Sequence, residues 1–516
     1  MKAIILILLF GLTSGLVYGQ NWDERTAKEF FKRTNFLMAM TEYHKGIKID
    51  RENLNYNYHL GICYLFTNID KPRAAVYLQR AYDNPKHEGD TEFYLGKAKM
   101  LNLDFEKAKK YLNEYIANPG KEKYLAEAKL LVKNCDDAIE LMKTPVNVSF
   151  KNMGKYINTE FPDYNPFVTK DEKIFLFTSR RAEGKGIKEF DGYYPSDIYE
   201  VKFNGTNFTK GKNIGSVNTR LDEEVVGILD DGSKMFVYLD HNLGRKDDPY
   251  GDIYMSVKEG TSWKKRILIE EGVNSEHMEI SCSQSSDGNT LIFTSNRPGG
   301  IGGYDIYMTR KLPNGKWGAT QNIESINTIG DEEYPSLATD GRTLYFSSNG
   351  LKGMGGMDLY KVKWNPITNK WGKPQNLGYP INTPDDEETI CFPSNLKHAY
   401  LSAHREDSYG DLDIYRITFN DVLLNPALFI TSFADEVSGE VLKDGFVTVF
   451  NDQDDIIGDF KPNKNNGTFT ITLDPGVYSI EVEVPGYPLK NIKWKVSEFD
   501  YQEGVIMKTV KIGKEE

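Results

Sequence analysis

The sequence predicts a repeat protein built around a five-bladed β-propeller, and two periodic motifs carry this prediction. An Asp followed by Ile or Leu and then Tyr occurs five times, with 53 to 55 residues between successive copies, at Asp197, Asp252, Asp305, Asp358 and Asp413. An Asn-Thr or Asn-Ser pair recurs once per copy, beginning at Asn158. A fixed period of this length, filled with short alternating strands and Gly/Asp turns, is typical of propeller blades of four strands.

Each blade has the same predicted order of parts. In the fourth blade, Asp340-Gly341 forms a hairpin turn before an alternating strand at residues 343–347. A Gly-rich loop, residues 299–303 in the third blade, then leads into the Asp-Ile-Tyr strand. No Lys-Ser/Thr pair follows these glycines, so the loop is not a phosphate loop. The five repeated Asp residues are expected to cap this turn. A cation held by Asp and loop carbonyls is the alternative, and no metal site is expected.

The fifth blade has no outer strand of its own after Phe419. Blades 3 and 4 end in strands that contain Trp317 and Trp371, and no such strand follows the fifth Asp-Ile-Tyr motif. The earlier segment 146–154 has the pattern of the missing strand, because it also precedes an Asn-Thr turn. Closing the ring in this way protects sheet edges. The predicted propeller therefore spans residues 146–424.

The first 19 residues have the pattern of a secretory signal peptide. Lys2 precedes an apolar run over residues 3–9, and small residues lie before Gln20. No Cys follows for lipid attachment, and no further stretch of 18 apolar residues occurs. We expect an exported chain, with an uncleaved N-terminal anchor as the alternative.

Residues 20–145 change to a helical period. Leu60-Gly61 recurs as Leu95-Gly96, 35 residues later. Small residues at such positions let antiparallel helices approach closely, and the period is typical of tetratricopeptide (TPR) repeats. The segment predicts an α-solenoid of about three helical hairpins with a capping helix near residues 124–141. Thr144-Pro145 ends it.

Residues 425–516 return to short strands separated by turns, as at residues 447–450 and 467–473. Alternation over this length without a helical pattern predicts a small β-sandwich. The predicted fold class is therefore a multidomain chain, in which a TPR α-solenoid and a β-sandwich flank the propeller.

Three segments resemble known families. Residues 295–307, Ser-Asn-Arg-Pro-Gly-Gly-Ile-Gly-Gly-Tyr-Asp-Ile-Tyr, resemble the repeat of TolB-type, WD-like propellers of bacterial periplasmic proteins. Residues 474–478 and 485–487 resemble a carboxypeptidase regulatory-like domain, a transthyretin-like sandwich that is not itself catalytic. The order of the three units is similar to PorE-type periplasmic components of the type IX secretion system of Bacteroidota.

This resemblance implies a periplasmic protein that is associated with the outer membrane through its partners. The implied partners are outer-membrane or periplasmic proteins of a secretion, gliding or assembly complex. PorE-type proteins carry a further OmpA-like peptidoglycan-binding domain, which has no counterpart before residue 516. Direct peptidoglycan binding is therefore not expected, and neither is membrane insertion.

Acidic clusters at residues 222–224, 331–333 and 386–388 invite comparison with glycosidase carboxylate pairs. They occupy the same position in successive blades, whereas a catalytic site has to break repeat symmetry. Hydrogen bonding to blade-edge backbone is the favoured interpretation. No Gly-x-Ser-x-Gly, His-Glu-x-x-His or Cys-x-x-Cys motif occurs, so no catalytic residue and no cofactor is expected.

The expected partner surface is the propeller rim shared by the Asn-Thr segments and the Gly-rich loops. A net charge of −12 without a basic block disfavours nucleic acid. Aromatic residues on the long blade 1 loop, residues 183–195, are candidate anchors, although the loop could instead pack over a neighbouring domain. The candidate partner-binding residues are Phe190, Tyr193 and Tyr194 on this loop and Tyr56, Tyr58 and Lys97 in the helical groove.

Two functional hypotheses follow. The first is a non-enzymatic periplasmic scaffold or adaptor in an outer-membrane complex, with type IX secretion or gliding machinery as the favoured one. The alternative is a carbohydrate-binding or glycan-acting propeller protein. An asymmetric set of carboxylates at the mouth of the propeller channel would favour the second hypothesis.

Overall fold

The computed structural model describes residues 22–118, 120–184, 186–203, 208–240, 251–269, 272–338, 340–365, 367–393, 397–421, 427–473, 476–496 and 505–514. The predicted signal peptide lies outside these residues. No helix in the described part of the chain is both long and apolar enough to span a membrane.

The N-terminal unit consists of helices that pack in sequence order. Within the described residues they are α1 (Glu24–Lys32), α2 (Phe36–Ile49), α3 (Leu54–Leu65), α4 (Ala74–Tyr82), α5 (Thr91–Leu101), α6 (Phe105–Ala117) and α7 (Leu125–Leu141). Each helix contacts the next one along the chain. The described part of the chain thus begins with helical hairpins, as predicted, and the tetratricopeptide assignment stays a prediction.

Local sequence explains the ends and the spacing of these helices. The side chains of Asn35, Asn53 and Asp104 each cap a helix by accepting a backbone N–H from its first turn. A Cβ placed on Gly61 would lie 2.5 Å from Cγ of Leu78. Glycine is therefore required where α3 and α4 cross, as the recurring Leu-Gly pair indicated.

Five antiparallel sheets follow the helices. Strand β1 (Val148–Asn152) comes first in the chain. Blade 1 contains β2 (Asp163–Val168), β3 (Ile174–Ser179), β4 (Asp197–Lys202) and β5 (Lys212–Asn213). Blade 2 contains β6 (Asp222–Ile228), β7 (Lys234–Asp240), β8 (Gly251–Glu259), β9 (Ser262–Trp263) and β10 (Ile267–Leu268).

The remaining blades repeat this order. Blade 3 contains β11 (Glu279–Gln284), β12 (Thr290–Ser295), β13 (Asp305–Arg310) and β14 (Gln321–Asn322). Blade 4 contains β15 (Glu332–Leu337), β16 (Thr343–Ser348), β17 (Asp358–Asn365), β18 (Lys370–Trp371) and β19 (Gln375–Asn376). Blade 5 contains β20 (Ile390–Cys391), β21 (His398–Ala403) and β22 (Asp413–Phe419).

The sheets form a ring. The innermost strands β2, β6, β11 and β15 contact one another in that order, and β20 contacts β2. Blades 4 and 5 share a core that includes Leu359, Ile381 and Leu401. This arrangement confirms the predicted propeller. Strand β1 pairs with β22 as the outermost strand of blade 5, with Val148 opposite Phe419 and Asn152 opposite Tyr415, so an early segment of the chain completes the last blade.

The C-terminal unit consists of two sheets around one core. Its strands are β23 (Ala427–Asp435), β24 (Val441–Leu442), β25 (Phe446–Phe450), β26 (Ile456–Phe460), β27 (Thr468–Leu473), β28 (Gly476–Glu483), β29 (Lys490–Val496) and β30 (Val505–Ile512). One sheet has the order β24-β23-β27 with β30 parallel to β23, and the other has the order β26-β25-β28-β29. Phe433 and Val449 are among the buried residues between them. The transthyretin-like assignment stays a prediction.

Candidate functional site

One buried carboxylate per blade holds the Asn-Thr turn. Each accepts the backbone N–H of a Thr or Ser four residues earlier, at 2.6 to 2.8 Å, and the five acids are Asp163, Glu223, Glu279, Glu332 and Glu387. Glu332 also accepts the hydroxyls of Thr328 at 2.7 Å and Ser348 at 2.6 Å. Burial raises the pKa of Glu332, and these hydrogen bonds oppose that effect. Glu223, Glu332 and Glu387, the middle residues of the three acidic clusters, therefore have the structural role expected from the sequence.

A second carboxylate joins neighbouring blades at the rim. Asp331 of blade 4 accepts the backbone N–H of Tyr304 in blade 3 at 2.9 Å, and Asp386 of blade 5 accepts that of Met357 in blade 4 at 2.9 Å. Asp222 does the same for Ser196 at 2.7 Å. The Gly-rich loops and the acidic segments thus meet on one rim, as strand geometry predicts.

The third acidic position breaks the repeat symmetry. The five equivalent inner-strand residues are Tyr164, Glu224, Ile280, Glu333 and Glu388. Glu224, Glu333 and Glu388 belong to blades 2, 4 and 5. The charges of Glu224 and Glu333 nevertheless act on Glu388. Inner strands of non-adjacent blades come together only at the central channel, so these side chains line it. The expectation that these acidic clusters bond to blade-edge backbone is wrong at this position, because successive residues of a strand face opposite sides. Tyr164 and Ile280 take the place of Glu in blades 1 and 3, so the acidic positions are not equivalent round the ring.

The channel glutamates titrate near neutrality. Burial, followed by neighbouring carboxylates, raises the pKa of Glu333 to about 7 and that of Glu388 to about 8. Burial also raises the pKa of Glu224 to about 7, although the hydroxyl of Tyr164 donates a 2.8 Å hydrogen bond to it. At neutral pH the channel is therefore both acidic and partly protonated.

Asp305, Asp358 and Asp413, three of the repeated Asp residues, cap the turns that precede them. Asp305 accepts the backbone N–H groups of Ile301 at 2.5 Å and Gly302 at 3.2 Å, Asp358 accepts that of Met354 at 2.8 Å, and Asp413 accepts that of Tyr409 at 2.9 Å. Asp197 begins β4, and Asp252 is the second residue of β8. Among the described residues, no group of three or more His, Cys, Asp or Glu side chains is arranged to hold a metal ion.

The blade 1 loop places its three aromatic residues differently. Phe190 is 71% exposed. The hydroxyl of Tyr193 donates a 2.5 Å hydrogen bond to Asp411, and the ring of Tyr194 packs edge-on against Phe161. Arg180 holds the loop through ion pairs of 2.7 Å to Glu189 and Asp191. Phe190 is therefore the exposed aromatic of the three, whereas Tyr193 and Tyr194 also make intramolecular contacts.

The helical unit lies on the propeller rim. Lys71 forms a 2.5 Å ion pair with Asp385, and Asn68 donates a 2.9 Å hydrogen bond to Asp411. Met354, from the Gly-rich loop of blade 4, is fully buried in the core of the helical unit. Part of the rim expected to bind a partner is thus occupied by the chain itself. No sequence pattern indicated this contact, because Lys71 and Asp385 are 314 residues apart.

A groove of about 460 Å³ lies between the helices and the rim. Phe66, Leu130 and Leu131 contribute its apolar side, and Asp331 and Asp386 contribute rim carboxylates. Lys97 also lines it and pairs with Glu127 at 2.8 Å. The predicted groove residue Lys97 is therefore at the junction of the two units.

The other two predicted groove residues pack inside the helical unit. Tyr58 is buried, and its hydroxyl donates a 2.5 Å hydrogen bond to Asp90. Tyr56 is partly buried against Trp22, with a ring-centroid distance of 4.9 Å. Their contacts are those of packing residues.

Comparisons with known proteins give distant structural likenesses. No family model matches the chain, and no curated protein matches it. A solved structure described as a TolB from Agrobacterium tumefaciens is 14% identical, with a TM-score of 0.34, and the match covers 64% of this chain and 98% of that one. An endo-arabinase from Bacteroides thetaiotaomicron is 12% identical, with a TM-score of 0.34, and the match covers 50% and 94%.

A thermostable family-43 glycoside hydrolase is 15% identical, with a TM-score of 0.33, and the match covers 54% of this chain and 95% of that one. These identities and scores are too low to bear on function. The pairing of its own strands is what makes this chain a β-propeller protein.

Proposed function

We propose that the chain is a non-enzymatic scaffold that joins proteins of an outer-membrane-associated complex. The observation that carries the proposal is the docking of the helical unit on the propeller rim. Lys71 of the helical unit pairs with Asp385 of the propeller, and Met354 of the propeller is buried among the helices. Two repeat surfaces thereby form one platform with a groove at their junction, which suits binding of partner proteins.

The sequence resemblance supplies the proposed setting. The helical hairpins are taken as tetratricopeptide repeats and the C-terminal sandwich as a carboxypeptidase regulatory-like domain. Their order favours a PorE-like role in type IX secretion or gliding machinery of Bacteroidota. The proposed location is the periplasm, with the outer membrane reached through partners. Direct binding to peptidoglycan is not part of the proposal.

Affinity purification from the native envelope tests this role. The tagged full chain is isolated in mild detergent, and copurifying proteins are identified by mass spectrometry. We expect stoichiometric recovery of outer-membrane secretion, gliding or assembly proteins. Recovery of the chain alone would contradict the proposal.

The same purification with Phe190→Ala tests the blade 1 loop as a contact. Phe190 is 71% exposed, so its truncation leaves the fold intact. We expect at least one partner to be reduced. Ile367→Ala is the matched control, because Ile367 is 94% exposed and lies just beyond the end of β17. Equal recovery with both variants would remove the loop from the proposed interface.

A glycan-acting propeller is the second candidate, and the asymmetric channel favours it. Glu224, Glu333 and Glu388 provide carboxyl groups of raised pKa without a counterpart in blades 1 and 3. Paired carboxyl groups of this kind serve glycoside hydrolysis. Incubation with a panel of plant and bacterial oligosaccharides tests this candidate. Product release by the wild-type chain and its loss in Glu333→Gln and Glu388→Gln would support it, and no release by the wild type would reject it.

A further inference from the structure

We propose that the groove between the helices and the rim binds a partner segment that carries a Lys or Arg side chain beside an apolar one. This inference rests on the proposed scaffold function and specifies the chemistry of a partner. The groove, its excess of carboxylates over basic side chains and an unsatisfied buried acceptor carry it.

The groove carries a net negative charge, because its lining has more carboxylates than basic side chains. Lys71 pairs with Asp385 at 2.5 Å, and Lys97 pairs with Glu127 at 2.8 Å. In the described part of the chain, the carboxylates of Asp331 and Asp386 accept only uncharged donors, namely backbone N–H groups and, for Asp331, the amide of Asn349. Neither carboxylate forms an ion pair with those residues, although the charge of Lys71, which is paired with Asp385, also acts on Asp386. The groove is therefore lined by four acidic side chains, Glu127, Asp331, Asp385 and Asp386, against two basic ones, Lys71 and Lys97.

The acidic character continues into the channel. The carboxylate of Asp386 raises the pKa of both Glu333 and Glu388. The mouth of the channel and the groove thus form one region of negative potential, which attracts a cationic side chain.

A buried amide on the helical side also lacks a donor. Asn134 of α7 lines the groove and is 5% exposed. Its Oδ1 atom accepts no hydrogen bond from the described residues. A buried unsatisfied acceptor costs folding free energy. Because the Oδ1 atom is itself covered, a bound Lys or Arg satisfies it only when the Asn134 side chain turns toward the groove, and either cation then supplies donors without adding an acceptor.

Exposed apolar side chains adjoin these acceptors. Phe66 is 50% exposed and Leu130 is 39% exposed, and both line the groove. Lys and Arg bury their methylene stems along apolar surface while the charged end reaches polar groups. Apolar surface next to carboxylates therefore fits a protein segment better than it fits a small free cation.

The test selects peptides on the full chain from a phage-displayed random library. We expect enrichment of Lys or Arg beside Leu, Ile, Phe or Met. A selected peptide and its Lys→Gln twin are then compared by fluorescence anisotropy. Charge-assisted hydrogen bonds predict that the Gln twin binds roughly tenfold more weakly or worse. Selection of acidic or uncharged peptides, or equal binding of the twins, would overturn the inference.

Chain variants locate the site. Asp331→Asn with Asp386→Asn keeps one oxygen acceptor at each position for the backbone N–H groups of the rim, removes both charges and leaves the Asn349 amide without its acceptor. We expect a similar loss of affinity. Asp444→Asn with Asp452→Asn is the control, because both residues are exposed in the C-terminal unit. If the first pair fails to fold, Leu130→Lys places a positive charge in the groove and is expected to give the same loss. Unchanged affinity in a folded groove variant would overturn the proposal.

Two further outcomes separate the possible failures. Displacement of the peptide by free cadaverine at equal concentration would show that a small amine suffices, and would overturn the protein-segment inference. Full recovery of envelope partners by Asp331→Asn with Asp386→Asn would also overturn it while leaving the scaffold role intact. Absence of any envelope partner for the wild-type chain would instead overturn the scaffold role.

Discussion

Adjacent carboxyl groups on the inner strands have different roles because they face different surroundings. Glu332 is fully buried and accepts three hydrogen bonds, from the backbone N–H and hydroxyl of Thr328 and the hydroxyl of Ser348. Glu333, the next residue, lines the channel and has a pKa of about 7. One acid stabilises the turn, and the other stays available to solvent or ligand.

Substituting the buried acid is expected to destabilise the propeller. Glu332→Ala leaves the donors of Thr328 and Ser348 without their acceptor, and unsatisfied buried groups cost about 1–3 kcal/mol each. We expect the free energy of unfolding to fall by at least ~2 kcal/mol in chemical denaturation. Glu333→Gln is the neighbouring control and should not show this loss. Similar stability of Glu332→Ala and the wild type would contradict the assigned role.

The channel glutamates are expected to make stability depend on pH near neutrality. Their folded-state pKa values, about 7 for Glu224 and Glu333 and about 8 for Glu388, exceed the ordinary value of about 4.3. The folded state therefore binds protons more tightly than the unfolded state does. The resulting stability is fully present below the unfolded pKa and is lost as the pH rises through 7 to 8.

Thermal melts between pH 5 and pH 8.5 check this dependence. We expect the Tm of the propeller to fall across this range in the wild type and to fall less in Glu333→Gln with Glu388→Gln. Relief of about 1 kcal/mol at pH 8 corresponds to a Tm higher by about 2–4 °C. Parallel Tm curves for the two proteins would show that these side chains do not titrate as described.

Among the strands, one short element closes the ring. Strand β1 has five residues and pairs with β22 along its whole length. The backbone N–H of Met153 donates to Ile414. Antiparallel alternation then places a hydrogen bond from the N–H of Lys151 to Arg416, its partner in the register.

Lys151→Pro removes that donor and is expected to open the ring. We expect the propeller to lose about 1–3 kcal/mol and to associate at high concentration, because β22 then presents an unpaired edge. Calorimetry and size-exclusion chromatography at several concentrations measure both effects. Lys151→Ala keeps the N–H and should behave like the wild type. A monomeric Lys151→Pro chain of unchanged Tm would contradict a closing role for β1.

Local sequence patterns predicted the elements better than the contacts between distant ones. The five Asp-x-Tyr copies and the Asn-Thr turns are local patterns, and they indicated the blades and their order. The expected hydrogen bonding to blade-edge backbone is wrong for the third residue of each acidic cluster, the channel glutamate. Treating the blades as equivalent overlooked that Tyr164 and Ile280 occupy this position in blades 1 and 3. The contact of Lys71 with Asp385 depends on how two units meet, and neither local period encodes that geometry.

The helical unit and the propeller form one platform, and a partly buried ion pair lies in the contact between them. The side chains of Lys71 and Asp385 are only 13% and 26% exposed, so their ion pair is shielded from water. Breaking a partly buried pair leaves a charge without compensation. This ion pair is therefore the most direct place to separate the units.

Lys71→Glu is expected to release the helical unit from the rim. The introduced carboxylate would repel Asp385 and oppose the contact by about 1–3 kcal/mol. Small-angle X-ray scattering should show a larger radius of gyration, while the melting of the propeller stays unchanged. Lys28→Glu is the control, because Lys28 pairs with Glu24 on the exposed face of α1. A scattering curve like that of the wild type would mean that other contacts suffice to hold the platform.

The pairing of β1 with β22 also determines how the chain would respond to tension between its two flanking units. The helical unit precedes Val148 and the C-terminal unit follows Phe419, and these two residues are partners at the same end of the ladder. Opposed pulling forces would thus separate one residue pair at a time, instead of shearing the whole strand. Asn147 forms hydrogen bonds to Asn420 and Asp421 at this end of the ladder. These hydrogen bonds would be the first to bear the applied force. We expect Asn147→Ala to lower the force at which the ring opens in single-molecule pulling.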